Sequence, residues 1–79
     1  MPHLKRISGA EAIAIFQKFG FELHSQHGSH CKLLRIVGTR RQVLIVPLHK
    51  ELDTGTLRAI IRQASRFIPQ SELDQKFRA

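Results

Sequence analysis

The stretch FELHSQHGSHCKLLRIVGTRRQVLIVPL, from Phe21 to Leu48, decides the fold. Residues 21–26 alternate, with Phe21, Leu23 and Ser25 on one side and Glu22, His24 and Gln26 on the other, which predicts a half-buried strand. His27-Gly28-Ser29 reads as a turn, because glycine adopts positive φ without penalty. A second strand is expected over residues 30–37, a turn at Gly38-Thr39-Arg40, and a third strand over residues 41–48. Connections this short join neighbours antiparallel, so the three strands form a meander. The third strand is apolar on both faces through Val43, Leu44, Ile45 and Val46, where a sheet wetted on one side alternates. Either another chain covers its outer face or two aliphatic side chains stand in water.

Helical patterns flank this meander. Ser8 and Glu11 have the spacing of a capping box. Ala12, Ile15, Phe16 and Phe19 then recur at i, i+3, i+4 and i+7, and Gly20 closes the helix. After a loop over residues 49–54, Gly55-Thr56 opens a second helix whose buried stripe is Leu57, Ile60, Ile61 and Ala64. Arg58, Arg62 and Arg66 share another face of it. Pro69 ends that helix or starts the next, and residues 69–79 are expected to hold a short C-terminal helix from Ser71 to Phe77. Residues 1–6 read as a loose basic arm, and the whole of 1–79 as a single domain. The class is α+β, a two-layer α-β-β-β-α domain with an antiparallel three-stranded sheet and helices on one face.

Seventy-nine residues carrying 13 Lys and Arg against 6 Asp and Glu give a net charge of +7. A small domain this basic gains affinity for polyanions by displacing their counterions, although an acidic protein or an anionic membrane would answer the same charge. One cysteine, Cys31, allows no intrachain disulfide. No apolar run is long enough to span a bilayer and no signal-peptide core follows the first residues, so a cytoplasmic location is expected.

Four chemistries can be weighed against the side chains. His24, His27 and His30 are regularly spaced, but a strand, a turn and a return strand send them apart, and no carboxylate joins them, so no metal site is expected. Cys31 and His30 are strand neighbours and face opposite ways, which leaves Cys31 as a small core residue and Ser29 without a triad. No glycine-rich phosphate loop with its lysine is present, and no carboxylate pair suits a glycosidase. RNA is different because it carries its own nucleophile. A single imidazole near Gly28 and Ser29 can move the 2′-hydroxyl proton, and Lys or Arg can stabilise the charge that builds on phosphorus. DNA is inert by this route. His30 is the candidate for that role, with Lys32, Lys50, Arg58 and Arg62 as phosphate contacts and His49 as a supporting group. Each has an ordinary alternative: a hairpin histidine is commonly structural or merely exposed, and an arginine stripe is commonly a solvated helix face. Residue types alone therefore stop at a basic α+β domain able to bind RNA, with or without cleaving it.

Four segments carry a resemblance that goes further: Lys5-Arg6-Ile7-Ser8-Gly9 with Glu11; Gly20-Phe21-Glu22-Leu23; Gly28-Ser29-His30; and Val46-Pro47-Leu48-His49 with Glu51-Leu52 and Gly55-Thr56-Leu57-Arg58 through Ala64. In this order and spacing, residues 6–73 resemble the HicA family of toxin–antitoxin mRNA interferases. The resemblance implies a double-stranded-RNA-binding-domain-like fold and metal-independent endoribonuclease activity on mRNA without a cofactor. It also implies His30 as the one catalytic histidine, a HicB-like antitoxin as partner, and no DNA binding by the toxin alone. The sequence departs from the family pattern at Cys31, where many members carry a second histidine. It departs again over residues 36–42, which lack a Pro-Asp-Gly turn, and over residues 64–68, which replace an Ala-Gly-Ile segment.

Overall fold

Two glycines shape the sheet. In the computed structural model, which describes residues 3–79, Gly28 and Gly38 have φ of 59° and 62°. Each is the first of two loop residues, and the residue after it, Ser29 or Thr39, keeps negative φ. That is the pattern of a type II′ turn, whose twist matches that of paired strands. The turns connect β1 (Glu22–His27), β2 (His30–Val37) and β3 (Arg40–Pro47) into an antiparallel sheet of order β1-β2-β3. Helix α1 (Gly9–Lys18) precedes the sheet, and α2 (Thr54–Ala64) and α3 (Gln70–Phe77) follow it.

Register separates the two faces, because residues directly opposite share a side. Cys31↔Val46, Leu33↔Leu44 and Arg35↔Gln42 face the helices. His30↔Pro47, Lys32↔Ile45, Leu34↔Val43 and Ile36↔Arg41 form the other face. The helices bury Ala12, Phe16, Leu57, Ile60 and Ala64 against the first set, and Leu73 and Phe77 of α3 join the same core. Phe16 is central, with ring centroids 6.1 Å from Phe21 and 5.3 Å from Phe77. Burial of each such side chain stabilises the fold by about 1.5–3 kcal/mol. On β3, Leu44 and Val46 point inward and are buried, Val43 is half-buried, and Ile45 is 38% exposed.

The first strand departs from expectation. It runs Glu22–His27, and its register with β2 shifts between Leu23 and Ser25. The bulge breaks the simple alternation, so the strand is exposed along nearly all its length and Leu23 is 49% exposed. Phe21, just before the strand, is the anchor that is buried. A second departure follows at the turn: His27 is the last residue of β1, not a turn residue. In α1 the buried face is Gly9, Ala12, Ile13 and Phe16, while Ile15 and Phe19 are only partly covered. Helix α2 starts at Thr54 with Asp53 as its cap, one residue earlier than Gly55.

The expected loose arm is also corrected. Residues 1 and 2 lie outside the described residues, but Leu4 pairs with Arg78 in an isolated antiparallel bridge. The Lys5 N–H donates to Phe77 O at 2.8 Å and Ala79 N–H to His3 O at 2.9 Å. Backbone pairing, assisted by the apolar contact of Leu4 with the core, fastens this segment.

Two polar side chains complete the architecture. Half-buried Arg35 donates to Gln42 Oε1 at 2.7 Å, to Phe19 O at 2.7 Å and to Phe67 O at 3.2 Å. Its guanidinium carbon also lies 4.8 Å from the Phe21 ring centroid. One side chain thus satisfies carbonyls just past the ends of α1 and α2, which helices leave without partners. Gln63 on α2 reaches the free side of β3: the Ile45 N–H donates to Gln63 Oε1 at 3.2 Å, and Gln63 Nε2 donates to Ile45 O at 3.4 Å. No helix among the described residues is long and apolar enough to cross a membrane.

Candidate active site

The first II′ turn puts Gly28 and Ser29 at the tip of a hairpin closed by His27 and His30. Space around Gly28 is open, so positive φ rather than a close approach calls for glycine there. The Gln26 side-chain amide donates to Gly28 O at 2.9 Å and braces the tip. His30 opens β2 on the face turned away from the helices, opposite Pro47, and is exposed. Cys31, next in sequence, faces the helices and is 1% exposed. The pair diverges as strand geometry requires, and Cys31 is core.

A backbone bond joins the hairpin to the next segment: the Leu48 N–H donates to Ser29 O at 2.5 Å. One residue on, His49 O accepts from the Gly9 N–H at 2.8 Å, at the start of α1. Contact there is so close that a Cβ on Gly9 would overlap the Pro47 carbonyl oxygen and lie 2.9 Å from Leu48 Cα. The backbone of residues 47–49 is therefore wedged between the hairpin tip and α1. The side chains of His49 and Lys50 extend from it into solvent. Gly28, Ser29, His30, His49 and Lys50 thus gather at one end of the domain.

The remaining expected contacts lie elsewhere. Lys32 is two residues along β2 from His30 on the same face, between Ser25 and Ile45, and is half-buried. Arg58 lines a groove of about 890 Å³ with Lys5, Arg6, Glu51 and Asp53. Arg62 lines a second groove with Arg58, Ser65 and Gln70. Neither groove includes His30.

Sequence reasoning missed two residues, Asp53 at the start of α2 and His27 at the hairpin. Asp53 caps α2, accepting from the Thr56 N–H at 2.8 Å and the Thr56 hydroxyl at 3.0 Å. The Thr56 backbone bond, then its hydroxyl, holds the Asp53 carboxyl below the ordinary carboxylate range, with a smaller contribution from His49. An acidic residue three positions before Thr56 was the available signal. His27 is the second. It pairs with His30 across the hairpin, and a glycine at the first position of a two-residue loop was the signal for that register. Among the described residues, no three His, Cys, Asp or Glu gather where they could hold a metal ion.

An exposed imidazole beside a tight turn can accept or donate a proton to a solvent-facing strand of nucleic acid. Lysines on the same face and at the same end can meet its phosphates. A family model described as HicA toxin of bacterial toxin-antitoxin matches residues 9–65, most of the chain. Comparison with curated proteins and with solved structures gives no match.

Proposed function

We propose that this chain, which belongs to the HicA toxin family of bacterial toxin–antitoxin systems, acts on mRNA as a metal-independent endoribonuclease. The observation that supports this reading is His30, exposed beside the Gly28-Ser29 turn on the open face of the sheet. His30 handles one proton of an internal transesterification. The ribose 2′-oxygen attacks phosphorus, the bond to the 5′-oxygen breaks, and a 2′,3′-cyclic phosphate and a 5′-hydroxyl result. Lys32, Lys50 and, farther from the histidine, Arg58 and Arg62 bind phosphates; Gly28 and Ser29 shape the turn, and His49 supports the segment beside it. The substrate carries its own nucleophile, so this chemistry requires neither metal nor cofactor, and DNA is not cleaved. The cell compartment we propose is the cytoplasm, where mRNA is found.

Membership in the family implies a cognate antitoxin. The antitoxin we propose is HicB-like. Apolar surface on Leu23, Ile36, Val37, Ile45 and Leu48 is available to it, since each is more than a third exposed.

Placement of Arg58 and Arg62 in grooves apart from His30 favours one second reading, an RNA-binding module that does not cleave. Induced expression of the parent chain and of His30→Ala separates the two. The endoribonuclease arrests growth and yields fragments ending in cyclic phosphate, and His30→Ala does neither. Equal growth and intact message in both strains would remove the enzymatic reading.

A further inference from the structure

The hairpin register sets a second imidazole beside His30. We infer that His27 is a catalytic residue that carries the other proton of the RNA cleavage proposed above, an inference that rests on that reading.

His27 and His30 are direct partners at the closing position of a two-residue hairpin. Closing pairs of this kind are hydrogen-bonded, with Cα atoms about 5.5 Å apart and side chains on one face. Both residues are exposed, so neither ring is spent on packing. A general acid or base must come within about 3 Å of the oxygen it serves. The 2′-oxygen and the 5′-oxygen lie on opposite sides of the phosphorus, so two groups serving them must flank the phosphate. Two rings rising from adjacent strands straddle a phosphate seated over the pair in this way.

Protons balance between the two rings. One neutral imidazole takes the 2′-hydroxyl proton as the O2′–P bond forms, and the other, as imidazolium, gives its proton to the 5′-oxygen as the P–O5′ bond breaks. Water then exchanges the two protonation states. The other groups around the pair are few. Lys32 follows on β2; on β1, Ser25 precedes the pair and Glu22 lies at the far end. Across β3 the neighbours are Pro47 and Ile45, followed by His49 and Lys50 at the end of the sheet. No carboxylate pairs with either histidine strand to strand.

The test is the pH dependence of kcat/KM on a short RNA for the parent, His27→Ala, His27→Gln and His30→Ala, with His24→Ala as a control at the bulge. The parent should give a bell-shaped profile, one limb from the group that must be neutral and one from the group that must carry its proton. Each His27 variant should lose about 10²- to 10⁴-fold, the usual contribution of one proton-transfer group, and should lose one limb. His24→Ala should stay within about twofold, since it removes no proton-transfer group. A His27 variant that keeps the parent rate, or that slows while keeping both limbs, overturns the role for His27. Full activity in His30→Ala, or none in the parent, overturns the underlying reading instead. Circular dichroism of each variant separates lost chemistry from lost fold.

Discussion

Replacing Arg35 by methionine should cost about 3 kcal/mol of stability, close to the low-end loss of about 1.5 kcal/mol for each of two hydrogen bonds to a charged group. The two bonds are those to Phe19 O and Phe67 O, whose carbonyls lie at the ends of α1 and α2. Methionine retains the apolar stem over the Phe21 ring but offers no donor. The low end applies because the site is half-buried and water can reach part of what is left. A domain of this size is stable by only about 4–12 kcal/mol in total, so the loss is a large share. Thermal unfolding followed by circular dichroism should show a fall in Tm of roughly 12–24 °C. Arg35→Lys should recover about half of the loss, because an ammonium keeps the charge but cannot span both carbonyls as a planar guanidinium does. A methionine variant within about 0.5 kcal/mol of the parent, the range of an ordinary surface change, would refute the reasoning. A lysine variant as stable as the parent would show that charge rather than geometry matters.

Other expectations are more local. Gly9→Ala should lower stability by about 2 kcal/mol or more in urea unfolding, the cost of forcing an atom into a closely packed contact. Asp53→Ala should lower Tm by a few degrees at neutral pH, and Asp53→Asn should retain the cap. Because the folded-state pKa of Asp53 is depressed, its contribution is present above the unfolded carboxylate pKa and fades as pH falls through the lower folded value. The Tm difference between parent and Asp53→Ala should therefore narrow in acid, and a constant difference would contradict the assignment. His30→Ala should leave Tm unchanged within about 0.5 kcal/mol of stability, since the side chain is exposed. If Lys50 contacts a phosphate, Lys50→Ala should reduce the slope of log K against log salt for RNA binding by about 1, uniformly across sequences.

Local signals were legible where the structure obeys local rules. The Ser8–Glu11 capping box, with bonds of 2.9 and 3.0 Å, is where the spacing placed it. The buried face of α2 is the predicted stripe, since periodicity at 3.6 residues follows directly from helix geometry. The bulge in β1 was not legible, because it arises from pairing with β2 and no residue of residues 21–26 announces it. Arg35 was hidden for a related reason: a charged residue on the core face contradicts the alternation rule, and its partners lie on both sides of the sheet sequence. Near the site, Gly28, Ser29 and His30 were visible as a motif, while the place of His27 depended on counting the loop as two residues rather than three. Arg58 and Arg62 looked like companions of His30 because sequence cannot show that they line separate grooves.

The Gln63 amide on β3 has a consequence for how the protein behaves when crowded. A three-stranded sheet has two margins where backbone groups invite a foreign strand, and such margins seed aggregates. At Ile45 the invitation is already answered by a side chain that imitates a peptide group and fills both bonding positions. The opposite margin, β1, is kinked by its bulge and so presents no flat template. Among the described residues five large apolar side chains stand exposed, and at Ile45 the amide lowers the chance that such surfaces bring two molecules into edge-to-edge strand pairing.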